Sequence, residues 1–123
     1  MRICVTGGRD YFNEDFVKDV FKKLPQLSFV GVGCATGLDA MVREYVKLNN
    51  IQHQVFKADW TNLGRKAGPI RNEEMLKGSK PDFLLTFIGG RGTNNCTLLA
   101  QSFGIKTIDL RDETLKGLEI FNV

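Results

Sequence analysis

A single histidine, His53, and three cysteines, Cys4, Cys34 and Cys96, are all this chain has of the residues most used for metal binding and nucleophilic catalysis. The cysteines are odd in number, widely spaced and without a CxxC pair, which excludes a zinc ribbon and a disulfide framework and points to a reducing compartment. His53 opens a β-rich run, and no Ser–His–Asp or Cys–His grouping accompanies it. Carboxylates do not gather with His or Cys at metal-ligand spacing, so no metal site of the protein's own is expected, and Mg²⁺ would enter only with a phosphate ligand. No apolar run approaches the length of a membrane span, and the first residues run straight into a strand rather than a signal-type apolar core. There is no block of like charges. Lys and Arg number 17 against 14 Asp and Glu, a net +3 that is too small by itself to mark a nucleic-acid surface. These absences lead to the expectation of a soluble cytoplasmic protein with no membrane and no nucleic acid among its partners.

What is present is ordinary globular material. A chain of 123 residues, 42% hydrophobic and 25% charged, has the size and balance of one domain spanning 1–123. Residues 2–6 are β-rich and run into Gly7-Gly8. In 13–24 the apolar residues Phe16, Val17, Val20, Phe21 and Leu24 recur three and four apart, which predicts an amphipathic helix capped by Asn13 and stopped before Pro25. A second strand over 28–32, a helix over 38–48 and a third strand over 53–57 follow. The segment 58–69 has little periodicity beyond one turn around Leu63, and a short helix is predicted over 70–79 with Pro69 at its start. The strongest strand is 82–88, nearly continuous in apolar residues. A helix through Leu98, Leu99 and Phe103 and a fifth strand at 105–110 complete the alternation, and 118–123 reads as a short edge strand or a packed tail. Strands alternating with helices predict an α/β fold with a mostly parallel sheet of about five strands and right-handed crossovers.

Three of these strands end in glycine turns: Thr6-Gly7-Gly8-Arg9, the run from Gly31 through Gly33 to Thr36-Gly37, and Gly89-Gly90-Arg91-Gly92. In a parallel sheet all three lie at the carboxyl edge, where open α/β sheets bind ligands. Backbone N–H groups uncovered by side chains, at the start of a helix, suit an anion. Neither a P-loop nor a GxGxxG fingerprint is present, which disfavours Walker-type hydrolysis and a conventional NAD dehydrogenase. Thr93 and Asn94 can cap the next helix or meet a phosphate; Arg91 can reach the ligand or solvent. The segment 59–72 carries the side-chain chemistry: Lys66 and Arg71, with Arg65, for phosphate, and Asp59 and Asn72 for ribose hydroxyls. Gly68 and Pro69 lie among these residues. Trp60 can stack on a base or anchor a core or dimer contact. Asp39 opens the second helix, where it suits the helix dipole and lies close enough to the cleft to act on a ligand.

Five stretches together resemble the small YspA-like proteins of the SLOG superfamily, relatives of the LOG and lysine-decarboxylase-like proteins and, more distantly, of DprA. They are Val5-Thr6-Gly7-Gly8-Arg9-Asp10-Tyr11, Gly33-Cys34-Ala35-Thr36-Gly37-Leu38-Asp39, Ala58-Asp59-Trp60, Gly64-Arg65-Lys66-Ala67-Gly68-Pro69-Ile70-Arg71-Asn72 with Met75, and Phe87-Ile88-Gly89-Gly90-Arg91-Gly92-Thr93. The resemblance implies a three-layer Rossmann-like sheet of SLOG type, a homodimer or higher homo-oligomer, and a nucleotide or nucleotide-derived signal as ligand. It also implies a setting in bacterial or phage conflict, in the cytoplasm of a bacterium or of a phage's host. In LOG enzymes a PGGxGTxxE loop and a neighbouring arginine hydrolyse a nucleoside monophosphate at its ribosyl bond. Gly89, Gly90, Gly92 and Thr93 match that loop and Arg71 matches the arginine, but Ile88 replaces the proline and Cys96 stands where the glutamate falls. The expectation is therefore a sensor or sequestering protein that needs no resident cofactor. The alternative is an N-glycosidase-like hydrolase with Asp39, Asp59 and Arg71 as catalytic candidates; single-stranded nucleic-acid binding ranks below both.

Overall fold

In the computed structural model, which describes residues 1–122, Arg2–Thr6 form the first strand, β1, with Ile3 to Thr6 buried in succession as in a central strand covered on both faces. α1 (Glu14–Lys23), β2 (Phe29–Gly33), α2 (Leu38–Leu48) and β3 (His53–Phe56) come first. A short helix α3 (Trp60–Leu63) and a 3₁₀ turn (Gly64–Lys66) then lead into α4 (Ala67–Ser79). β4 (Phe83–Thr86), α5 (Arg91–Ser102), β5 (Lys106–Asp109) and a 3₁₀ helix (Lys116–Phe121) complete the described chain. α1 starts where the sequence signals it: the Asn13 side chain accepts the Phe16 N–H at 3.2 Å, Glu14 and Asp15 occupy the first turn, and Lys22 and Lys23 the last.

The described residues form one five-stranded sheet, parallel throughout, in the order β3-β2-β1-β4-β5. Right-handed crossovers explain how the helices divide. From β1 the chain steps outward to β2 and β3, laying α1 and α2 on one face. It then returns past β1 to β4 and β5, and the reversal puts α4 and α5 on the other face. Ile3, Val5, Val30, Val32, Leu85 and Phe87 pack with α1 and α2, while the alternate residues Cys4 and Leu84 pack with Met75, Leu76, Cys96 and Ala100 of α4 and α5. The result is a three-layer α/β, Rossmann-like fold.

The structure departs from the sequence reading in the connections. α4 begins at Ala67 rather than near residue 70, because Pro69 falls in the first turn, where its missing N–H would have no helical partner anyway. Segment 58–69 holds α3 and a 3₁₀ turn in place of one isolated turn. The stretch 118–122 is not an edge strand. It is part of the 3₁₀ helix that buries Leu118 and sets Phe121 edge-on to Phe83 with ring centroids 5.4 Å apart; Val123 lies outside the described residues. Among the described residues no helix is long and apolar enough to cross a membrane.

On β2 the residues that face α4 are Gly31 and Gly33. A Cβ at position 31 would overlap the Ser79 hydroxyl and lie 2.9 Å from the Cys4 sulfur. Gly31→Ala should therefore destabilise the fold by about 1–3 kcal/mol through overpacking. Ser79→Ala alone should be neutral or mildly stabilising, since its buried hydroxyl has no hydrogen-bond partner. Combining the two should recover part of the loss, as read by urea unfolding; equal losses in single and double variants would place the clash elsewhere.

Candidate functional site

The strand order reverses between β1 and β4, so the loops that follow them diverge to opposite faces and leave a crevice at the carboxyl edge. The two loops are tied at its floor by the Gly8 N–H, which donates to the Ile88 carbonyl at 2.8 Å. The loop after β2 closes the third side. There the Thr36 hydroxyl donates to the Arg9 carbonyl at 3.1 Å, and Leu38 N–H donates to the Gly8 carbonyl at 3.1 Å. Gly37 between them has φ +70° and packs directly against the Gly8 and Arg9 carbonyls, a position closed to any side chain on both counts. The segment from Trp60 to Asn72 forms the fourth side. The enclosed cavity, about 730 Å³, is of ordinary size for a small-molecule site.

Its lining brings together most of the residues singled out in the sequence: Gly7, Gly8, Arg9, Gly33 and Asp39 from the first half, Trp60, Gly68, Pro69, Arg71 and Asn72 from the middle, and Gly89 to Thr93 from the third loop. Five candidates are not in the wall. Thr36 and Gly37 act behind it, as the bracing just described. Both Asp59 oxygens accept from Asn62, from its N–H at 3.2 Å and its side-chain amide at 2.9 Å, so Asp59 caps α3. Lys66 is exposed at the end of the 3₁₀ turn. Asn94 points away from the cavity toward Arg111, which donates to it at 3.5 Å.

Two features make the cavity attractive to anions. α5 starts at the cavity with Gly90 in the cap position and no side-chain cap. Its first turn-closing bond is from the Asn94 N–H to the Gly90 carbonyl at 3.0 Å, and the N–H groups of Arg91, Gly92 and Thr93 are left without partners. Thr93, weighed as a cap, is the third residue of the helix, and its buried side chain packs over Gly89. The second feature is four arginines, Arg9, Arg65, Arg71 and Arg91, in one wall. Among the described residues the ion pairs are Lys18–Glu14, Lys77–Glu73 and Arg111–Asp109, so none of the four is in direct ion-pair contact with a carboxylate, and only Asp10 and Asp39 share the lining with them.

Arg71 is held by neutral partners: its Nε donates to the Asn72 side-chain oxygen at 3.1 Å and a terminal nitrogen to the Phe56 carbonyl at 3.4 Å. Asn72 passes the connection to α5, donating to the Gly92 carbonyl at 3.2 Å and the Asn95 side chain at 3.1 Å. Arg71 and Asp39 flank the same space over Gly33, where a Cβ would lie 2.5 Å from each. Asp39 is 6% exposed and accepts the Ala35 N–H at 3.2 Å. Burial pushes its carboxyl above the usual range, against the opposing pull of Arg71, the Ala35 N–H, Arg43 and Arg9. Arg43 escaped the sequence reading; it donates to the Gly33 and Ala35 carbonyls at 3.0 and 2.8 Å and fixes the loop. Its position four residues after Asp39, on the same helix face, is the signal that would have found it. Tyr11 and Asn95 in the lining also went unweighed as site residues. Cys96, in place of the expected glutamate, is buried in the second core with its thiol pushed up to about 12 by burial. Among the described residues no group of three or more His, Cys, Asp or Glu comes together to hold a metal ion.

A parallel sheet of this order, with its cleft at the reversal point, defines a Rossmann-like α/β protein. The chain belongs to the family of the Gene 61 protein of Mycobacterium phage D29, with which it is 31% identical over 123 residues, covering 91% of this chain and 98% of that protein. No family model matches the chain. Among solved structures it is similar to the UDP-GlcNAc 2-epimerase of Neisseria meningitidis bound to UDP-GlcNAc, with a TM-score of 0.52 and 18% identity. That match covers 93% of this chain and 34% of the epimerase, so the chain spans about a third of the epimerase's length, and the likeness is one of fold.

The raised Asp39 pKa has a consequence for stability. The native state holds the proton more tightly than the unfolded chain, so ionisation of Asp39 opposes folding increasingly as pH rises from about 4, the ordinary aspartate value, through the raised one. Asp39→Asn should gain stability relative to the parent across that window and hold the gain above it. Urea unfolding of both proteins at a series of pH values measures this, and a difference independent of pH would contradict it.

Proposed function

We propose that this protein binds a nucleotide or nucleotide-derived signalling molecule by its phosphate, in the manner of the SLOG proteins its motifs resemble, and serves as a sensor or sequestering protein. The observation that carries the reading is the set of four unpaired arginines around the open N-terminus of α5. Four arginines outnumber the two carboxylates of the same lining, Asp10 and Asp39, and an incoming phosphate balances the excess while taking hydrogen bonds from helix N–H groups. The solved epimerase of similar fold carries UDP-GlcNAc, a nucleotide sugar, which accords with this ligand class. Any Mg²⁺ would ride in on the phosphate.

Isothermal titration against nucleoside monophosphates, ADP-ribose and cyclic nucleotides tests the proposal. At least one should bind, and Arg71→Ala should weaken it about ten- to a hundredfold, the value of charge-assisted hydrogen bonds. Lys47→Ala, on the exposed end of α2, should change nothing. Folded protein that binds none of the panel would end this reading.

A second reading rests on Asp39, a buried acid in the wall of the same cavity. A carboxyl with a raised pKa can protonate a departing base. As the C1′–N bond breaks, the base nitrogen takes the Asp39 proton, a water oxygen bonds to C1′, and the proton shed by that water restores the acid. Arg71 and α5 would anchor the phosphate meanwhile. Chromatography should then show free base and ribose phosphate, lost in Asp39→Asn and retained in Asp59→Asn. Unchanged nucleotide after long incubation would leave binding alone.

A further inference from the structure

Trp60 is the only tryptophan of the chain, and the structure neither buries it in a core nor leaves it idle on the surface. The first residue of α3, it is 46% exposed and lines the cavity. Its six-membered ring lies against Gly68 of α4, where a Cβ would come to 3.2 Å, so a small residue at 68 is what seats the indole. The Arg9 guanidinium stands over the indole, 5.2 Å from the ring centroid. Arg9 is fixed at its main chain, through the Thr36 hydroxyl bond to its carbonyl, while its exposed side chain has no carboxylate partner.

A flat cation resting on an aromatic face at the mouth of a cavity is a replaceable cover. The contact is worth little while exposed to water. A planar heterocycle buries more of the indole than the guanidinium does and stacks on it whatever its sequence identity, since every base has a π face. Both ends belong to one cavity: the uncapped α5 lies at the loop after β4, whereas Trp60 lies on the segment after β3, with Asp39, Arg71 and Asn72 in the same lining.

We propose that Trp60 is the base platform of the cavity: the heterocycle stacks on the indole face that Arg9 covers in the free protein, and the displaced guanidinium turns to the ligand's anionic group. This deepens the phosphate-binding reading and rests on it.

Because Trp60 is the sole tryptophan, its fluorescence reports this step in the unmodified protein. AMP and ribose 5-phosphate are the matched probes, alike in sugar and phosphate and different only in the base. AMP should bind more tightly and change the emission; ribose 5-phosphate should bind, by titration calorimetry, with the emission nearly unchanged. Trp60→Ala should weaken AMP about tenfold or more and ribose 5-phosphate less than twofold, and Trp60→Phe should keep most of the AMP affinity. Equal loss of both probes in Trp60→Ala, or AMP binding that leaves emission and affinity indifferent to Trp60, would overturn the platform while leaving the phosphate site standing. Failure of both probes to bind the parent protein would overturn the platform, and failure of the whole nucleotide panel would overturn the phosphate reading with it.

Discussion

A helix approaches a parallel sheet only as closely as the side chains between them allow, and where α4 crosses β2 the sheet presents Gly31 and Gly33. At Gly31 the Ser79 side chain occupies the vacant place; at Gly33 the vacancy is shared by the Arg71 guanidinium and the Asp39 carboxylate. These arrive from helices on opposite faces of the sheet, α4 and α2, and meet only because the strand end between them carries no side chain. The same two positions therefore set the packing of the second core and the charge arrangement of the cavity.

That arrangement is electrostatically unusual for a chain with a net charge of only +3. Surface arginines ordinarily find carboxylates or face water, at little cost either way. Here Arg71 is half-buried and braced by carbonyl and amide oxygens, which orient it without cancelling its charge. Asp39 shares the space over Gly33 with Arg71, and burial raises its carboxyl above the ordinary aspartate value against the pull of that arginine. The four arginines of the lining outnumber its carboxylates, Asp10 and Asp39, and their positive potential adds to that of the α5 N-terminus.

The framework was legible because its signals are local. Phe16, Val17, Val20 and Phe21 mark a helix face by spacing alone, and the glycine turns mark strand ends whose convergence follows from parallel topology. What escaped depends on where a side chain is sent after the backbone is placed. Asp59 and Asn62 stand three apart, an arrangement that serves a helix cap as readily as a ribose, and the cap took both oxygens. Asn94 lies within the phosphate loop by sequence, yet one position along a helix rotates a side chain by about 100°, which turns it from the cavity to Arg111. Arg43 carries no motif and works through carbonyls, which have no sequence signature. The terminal stretch, open in the sequence between an edge strand and a packed tail, packs against the sheet rather than pairing with it.

Cys96 bears on how the proposed binding and the proposed proton transfer would be divided in this fold. The motif resemblance leads one to expect a carboxylate there, on the second turn of α5. An ionised side chain so close to the helix N-terminus would oppose a phosphate held by the free N–H groups unless the ligand kept it at a distance. A neutral thiol packed into the second core removes that conflict and leaves α5 wholly suited to anion capture. On the hydrolase reading proposed above, the acid would be Asp39, on α2 across the crevice, whose carboxyl burial raises above the ordinary aspartate value. On that reading a ligand anchored by its phosphate at α5 would present its more distant atoms to that carboxyl, so anchoring and proton donation would belong to separate helices and could be altered independently.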